Sequence, residues 1–417
     1  MNTDRRCGLS LDALNFFLAD VRDGLGPYLA IYLLTVQKWD EATIGIVMSV
    51  AGIATIAAQT PAGALIDRVR AKRALVIGAA LLVTVASLAL PLVPSFWAVA
   101  GLQAVSGVAA AVFPPAIAAI TLGILGPKMF AARIGRNEAF NHAGNATAAA
   151  VAAGTAYLFG PIAVFWLMAA MALLSIVSAL AVPAELIDHD RARGLNEDGK
   201  VAGEQPSGLS VLVTCPPLLV FAASTTLFHF ANAAMLPLVG QKLALANPEL
   251  ATTLMAACIV AAQLVMVPVA AIVGSRADVW GRKPIFLVGL AVLAARGLLY
   301  PVRDHTAWLV GVQLLVGIGA GIFGALFPLV VADLMEGTGR YNVAQGAVGA
   351  AQGLGAALSA AAAGIIVVRF GYGAAFVSLA ATAGAGFVIA AIFLPETRPG
   401  RPADQRAGTG ALASAAE

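Results

Sequence analysis

Charge is scarce in this chain. Only 11% of its 417 residues are Asp, Glu, Lys or Arg, against 60% that are hydrophobic. A water-soluble domain carries roughly a quarter charged residues, so this chain has too few to cover a surface facing water. Cysteine is scarce as well. Cys7, Cys215 and Cys258 stand alone, which excludes a disulfide framework and a thiol-based metal site. Nucleophile–base sets, metal clusters and phosphate-cradling glycine loops are also missing. An enzyme is therefore not expected, nor a cofactor, and a net charge of only +3 gives no footprint for nucleic acid.

What the chain has instead is long apolar runs. They cover approximately 11–36, 43–66, 74–92, 96–123, 137–158, 161–183, 211–240, 251–275, 284–301, 307–335, 341–368 and 371–394. A helix needs about 20 apolar residues to span a bilayer. The runs are continuous rather than alternating, which excludes a β-barrel. The expected fold is an all-α membrane protein of twelve transmembrane helices in two pseudo-symmetric six-helix bundles. Arg5-Arg6 precedes the first run, but no cleavage site follows, so that run reads as a retained helix.

The placement of basic residues sets an orientation. Only Lys38, Lys242, Arg303 and Arg369 fall in the loops of one side. The other loops hold Arg68, Arg70, Lys72, Arg73, Lys128, Arg133, Arg136, Arg276, Arg282, Lys283 and most of the rest, with both termini. Positive loops stay in the cytoplasm, so both termini are expected there, in a multi-pass protein of the cell membrane, a bacterial inner membrane by preference. Residues 184–210 mix charge with Gly and Pro and cannot bury a core. They divide an N-terminal bundle, 1–183, from a C-terminal bundle, 211–395, as a mobile cytoplasmic linker. Residues 396–417 are expected to be a disordered tail.

The halves repeat one another. Gly63-Ala-Leu-Ile-Asp67-Arg68-Val-Arg70-Ala-Lys72-Arg73 in the first matches Gly274-Ser-Arg-Ala-Asp278-Val-Trp-Gly281-Arg282-Lys283-Pro284 in the second. The displacement is about 210 residues, far longer than a solenoid repeat and fitting for a duplicated bundle. Gln103 and Gln313, Pro27 and Pro237, and Phe113-Pro114 and Phe327-Pro328 follow the same rule.

On these residues the chain resembles the major facilitator superfamily of secondary transporters, over about residues 11 to 395. Gly63, Leu65, Asp67, Arg68 and Lys72 fit that family's loop pattern between the second and third helices. Gly274, Asp278, Gly281, Arg282 and Lys283 fit its repeat between the eighth and ninth. The resemblance implies that the motif is a cytoplasmic latch, with Gly63, Asp67, Arg68, Lys72, Gly274, Asp278, Arg282 and Lys283 as gating residues. A carboxylate such as Asp67 suits a basic group or the positive N-terminus of a neighbouring helix. The likeness to the drug/proton antiporter branch is partial: Gln103 stands where that branch has Arg, and helix 5 lacks its Gly-Pro pair.

Several polar groups lie where lipid is expected. Asp20, Arg22 and Asp23 fall mid-span in helix 1 beside Gly24, Gly26 and Pro27. A mid-membrane charge costs at least about 2.5–3.5 kcal/mol unless it faces a cavity or partner. These three, with His229 and Asn232 on helix 7, are the candidates for substrate or proton at a midplane cavity. Asn15, Gln103, Asn141, His142, Asn145, Gln313 and Gln352 are candidate lining residues. Glu138 is a further proton candidate, on a stripe that runs from Asn137 to Asn145. The expected partners are a small molecule, protons and the bilayer, with the protein a monomer. The first expectation is proton-coupled efflux of a drug-like compound or a secreted metabolite such as a siderophore. The alternative is proton-coupled uptake of a small polar or anionic solute.

Overall fold

The computed structural model describes residues 3–23, 29, 32–33, 36–160, 162–195, 209–246 and 251–398. Nine apolar helical stretches among them are long enough to cross a membrane. Two of the nine each cross twice, which makes eleven passes, and Thr3–Asp23 is the twelfth helix of the fold. Phe96–Ala110 passes through a short turn into Phe113–Phe159, and the second of these reverses at Gly126 (φ 67°, ψ 176°). Tyr341–Phe393 reverses at Gly371 (φ 82°, ψ 171°). At 1.5 Å per residue, straight helices of those lengths would run roughly 70 to 80 Å, more than twice the hydrocarbon thickness. Only glycine takes such positive φ without strain.

The spans are α1 (Thr3–Asp23), α2 (Glu41–Arg68), α3 (Lys72–Ala89), α4 (96–125), α5 (127–159) and α6 (Ala163–Ala181). In the second half they are α7 (216–246), α8 (Ala251–Trp280), α9 (Arg282–Leu299), α10 (Thr306–Leu334), α11 (341–370) and α12 (372–393). Caps set several starts: Asp40 accepts from the Thr43 amide at 2.9 Å, and Ser95 from the Ala98 amide. Twelve membrane helices form two pseudo-symmetric bundles. Gly160 (φ 81°) and Gly371 (φ 82°) turn the chain alike, and they are separated by the displacement that separates Asp67 from Asp278.

The outer surface is apolar. Trp97, Leu158 and Val368 are each at least 70% exposed, as side chains in lipid should be. The first half packs around Leu11, Leu14, Phe113 and Met171. The second packs around Phe221, Phe228, Leu290 and Phe376, and takes in Leu122, Phe130 and Ile134 from α4 and α5. Between the halves, glycines bring backbones together. A Cβ on Gly63 would lie 2.1 Å from the Asn342 carbonyl oxygen, and one on Gly346 2.1 Å from that of Gln59. The mirror crossing joins α5 to α8, where Gly135 and Gly274 face each other. Both crossings shut the same end, which carries the 69–71 and 281 loops. It is called the basic end below.

Two segments differ from the sequence expectation. Part of the linker is tied down: Asp188 donates its amide to Gly123 O at 3.2 Å, and Gly194 O accepts from the Gly337 amide at 2.6 Å. Residues 196–208 of that linker lie outside the described residues. The tail does not begin at 396 either. Glu396 accepts from the Arg282 amide at 2.7 Å, and Thr397 donates to Asp333 at 3.1 Å. The positive start of α9 draws a carboxylate back to it, a contact that composition does not reveal. Residues 399–417 lie outside the described residues.

Candidate functional site

A cavity of about 280 Å³ lies between the halves, lined from α1, α2, α4, α5, α7, α10 and α11. Its depth follows from helix geometry. Glu138 stands 11 residues into α5 and Gln345 a turn into α11, so the lining runs from roughly 6 to roughly 16 Å from the basic end at 1.5 Å per residue, the deeper end being about half of a 30 Å hydrocarbon layer.

Glu138 is the acidic side chain in the lining, and no Lys or Arg lines the cavity with it among the described residues. Its carboxylate accepts only a long bond, 3.5 Å, from Asn141 Nδ2. Across the gap it meets Gly324 of α10, where a Cβ would sit 3.2 Å from Oε2. In the same lining are polar atoms that find no partner among the described residues: Gln59 Oε1, His229 Nε2 and Gln352 Nε2. All three residues line the same cavity. A buried polar group left unpaired costs about 1–3 kcal/mol, so three in one cavity mark a place for a ligand or water.

One wall is aromatic. Phe323 and Phe327 stack with centroids 5.7 Å apart, and His229 stands edge-on to Phe323 at 4.7 Å. Phe228 and Phe221 extend the stack behind them.

The structure places the sequence candidates in three groups. Asn15, Glu138, Asn141, His229 and Gln352 line the cavity. Asp20, Gln103, His142, Asn145, Asn232 and Gln313 do not. Asp20 is buried on α1, away from the lining. His142 turns to α8, with Nδ1 2.8 Å from Gln263 Oε1. It follows Asn141 by one residue, and each residue advances about 100° around a helix. Gln103 packs against Met48 of α2. Gln313 accepts a hydrogen bond from the buried Tyr300 hydroxyl. The Asn232 carbonyl faces the buried Arg296 guanidinium at 3.5 Å. The third group is Arg22 and Asp23, whose side chains lie outside the described residues, as do Gly24, Gly26 and Pro27. Sequence reasoning missed Gln59, Phe323 and Gly324. A lone Gln in α2 has no signal, and phenylalanines in an apolar run look like core.

The loop motif lies at the basic end. Asp67 is buried and accepts from Asn342 Nδ2 at 2.8 Å, the Val343 amide at 2.9 Å and the Asn342 amide at 3.3 Å. It thus caps the N-terminus of α11 across the gap between the halves. Asn342 Nδ2 also donates to Ala192 O of the linker. Lys72 is fully buried and donates to Ile66 O and Val69 O. Arg68 is exposed. The repeat is built differently. Asp278 pairs with Arg282 at 2.7 Å, Arg282 also holds Asp333 at 2.9 Å, and the Lys283 amide meets Glu396. Both copies place a glycine against the other half, but among the described residues it is the carboxylate of the first copy that reaches across, while that of the second pairs within its own half.

Twelve spans in two like halves around a polar mid-membrane cavity define a membrane transporter. The chain belongs to the Major Facilitator Superfamily, whose model matches residues 11–342 and 251–415. It is 60% identical over 392 residues to the Uncharacterized MFS-type transporter MT2531 of Mycobacterium tuberculosis (strain CDC 1551 / Oshkosh), covering 94% of each chain. The Uncharacterized MFS-type transporter Rv2456c of strain ATCC 25618 / H37Rv matches to the same extent. Two solved structures share the fold. One is the proton:xylose symporter XylE bound to 6-bromo-6-deoxy-D-glucose, with TM-score 0.70, 12% identity and coverage of 94% of this chain and 96% of that one. The other is the human organic anion transporter MFSD10 (TETRAN), with TM-score 0.65, 15% identity and coverage of 94% and 100%.

Proposed function

We propose that the protein exports a small organic compound from the cytoplasm in exchange for protons. The carrying observation is Glu138, an acid without an ionic partner among the described residues, in a cavity where three polar atoms likewise lack partners among them. A mid-membrane carboxylate is costly to keep ionised and alone. A proton relieves it, and so does a bound substrate. One site that both must use gives exchange: each displaces the other, and neither is carried together with its rival.

Alternating access supplies the rest. Residues 1–183 and 211–395 rock about the cavity, joined by 184–210, with both termini cytoplasmic. The basic end is then the cytoplasmic gate, shut here by the two glycine crossings and by Asp67 on α11. Asp67, Arg68, Lys72, Asp278, Arg282 and Lys283, with Gly63 and Gly274, form the gating set. Arg68 contributes positive-inside charge, and Arg282 braces α9 from below.

Pyranine-loaded proteoliposomes test the exchange even while the substrate is unidentified. A compound panel is added outside at equal pH, with empty liposomes as control. Exchange drives protons out as the compound enters, so the lumen turns alkaline. The alternative is proton-coupled uptake of a small polar solute, which the carboxamides of Asn15, Gln59 and Gln345 favour. Under that reading the lumen turns acid, and export is rejected.

Asp67→Asn should leave membrane insertion intact and slow turnover about tenfold. The substitution removes the negative charge from the α11 terminus and one of two strong acceptors. Charge-assisted bonds of this kind are worth roughly 1.5–3 kcal/mol, which moves the closed-to-open ratio at least tenfold. Wild-type turnover in the folded variant would remove Asp67 from the gate.

A further inference from the structure

We infer that the transported compound is an organic cation: a positively charged amine or amidine joined to a small flat apolar body that carries a further polar group. The inference rests on the reading of the cavity as the substrate site. Four observations lead to it.

The first is net charge. The described lining holds one carboxylate, Glu138, and no Lys or Arg; His229 is its other titratable group. Asp12, Arg133 and Arg136 lie closer to the basic end and are already paired, at 2.7 Å in each case. A compound with a negative charge would therefore meet an uncompensated carboxylate at mid-membrane. A positive charge forms an ion pair there, in a medium where such pairs are strong.

The second is the aromatic wall. Phe323 and Phe327 bring their rings into the lining beside Glu138's neighbour Gly324. Aromatic rings pack edge-on or offset against flat apolar bodies, and the uncovered part of a ring face attracts a cation. Gly324 lacks a side chain at the point where the carboxylate approaches α10, so no side chain at that position screens Glu138 from the cavity.

The third is the set of unpaired atoms. Gln59 Oε1 is an acceptor and Gln352 Nε2 a donor, each without a partner among the described residues. They stand on α2 and α11, away from the aromatic wall on α10, so they serve a polar group at the other end of the ligand. The fourth is size. A volume of about 280 Å³ lies at the lower edge of small-molecule sites, roughly 300–1,000 Å³, and excludes large amphipathic drugs.

Three molecules of one scaffold isolate the charge: tyramine (cation), tyrosol (neutral) and 4-hydroxyphenylacetate (anion). Binding to the purified full-length protein is measured by calorimetry or thermal stabilisation at pH 7.5. Tyramine should bind at least tenfold more tightly than tyrosol, with the anion weakest, and Glu138→Gln should erase the difference between the first two. His229 is the other titratable group facing the cavity, so His229→Gln is run in parallel and should keep the order. Equal affinity of tyramine and tyrosol, a preference for the anion, or no binding by any of the three overturns the inference.

Proton competition separates this result from the exchange reading. If tyramine leads but its affinity is unchanged between pH 5.5 and 8, the cation class stands and proton exchange fails. If proton exchange occurs only with uncharged compounds, exchange stands and the cation class fails.

Discussion

Glu138→Gln should abolish proton-driven transport, with a loss of at least a hundredfold, while the protein folds and inserts normally. The substitution keeps the side-chain volume and an oxygen for the 3.5 Å bond from Asn141. It removes the one group in the described lining that ionises as a carboxylate. Without it, a pH gradient loses the carboxylate it is proposed to act on at the site. Removal of a lone mid-membrane charge also relieves a cost, so the variant should melt at or above the wild-type temperature. Whatever flux remains should follow the substrate gradient alone and be flat across pH. The measurement is flux in proteoliposomes with and without a pH gradient. An undiminished response to that gradient in the Gln variant would move the proton site elsewhere, with His229 the next group to test.

Closing the basic end demands glycine at two symmetric crossings, and a side chain there should block the cycle. Gly63→Val and Gly346→Val should each reduce transport to the background level, and Gly63→Ala by at least tenfold. The reason is distance: a Cβ at either position would lie 2.1 Å from a backbone carbonyl oxygen of the opposing helix. Backbone atoms cannot rotate away, so α2 and α11 must part by about 1 Å or more, an overpacking that costs typically 1–3 kcal/mol. Parting the helices also takes the α11 terminus from Asp67. The variants should therefore rest open at the basic end, which maleimide labelling of a cysteine placed at Gln59 would read. Gly154→Ala is the control, since its Cβ would meet nothing within 4 Å. Gly135→Val, at the mirror crossing with Gly274, should behave like Gly63→Val. Full transport by Gly63→Val would mean that the closed end is not part of the cycle.

The sequence made the site legible only in part, and the reason is geometric. A stripe such as Asn137, Asn141 and Asn145 shows that one face of α5 is polar. It does not show where that face stops meeting the cavity. Asn137 is drawn to Arg133 and Thr121, Asn141 reaches Glu138, and Asn145 lies past the lining. His142, the neighbour of a lining residue, serves the contact with α8. Gln103 and Gln313 repeat in the two halves, yet one meets a Met sulfur and the other a Tyr hydroxyl. A repeat preserves position on the helix and leaves the partner free to differ.

The amino-acid order by itself determined the solvent, the helices and the duplication. Too little charge for water, runs of spanning length and a recurring Gly–Asp–basic loop need no neighbours to be read, because each is a property of a single segment. Tertiary structure decided which polar groups share one chamber and which copy of the loop bridges the halves. Those outcomes depend on how each helix is rotated about its axis. That rotation is set by backbone contacts at Gly63, Gly135, Gly274 and Gly346, between segments that are distant along the chain.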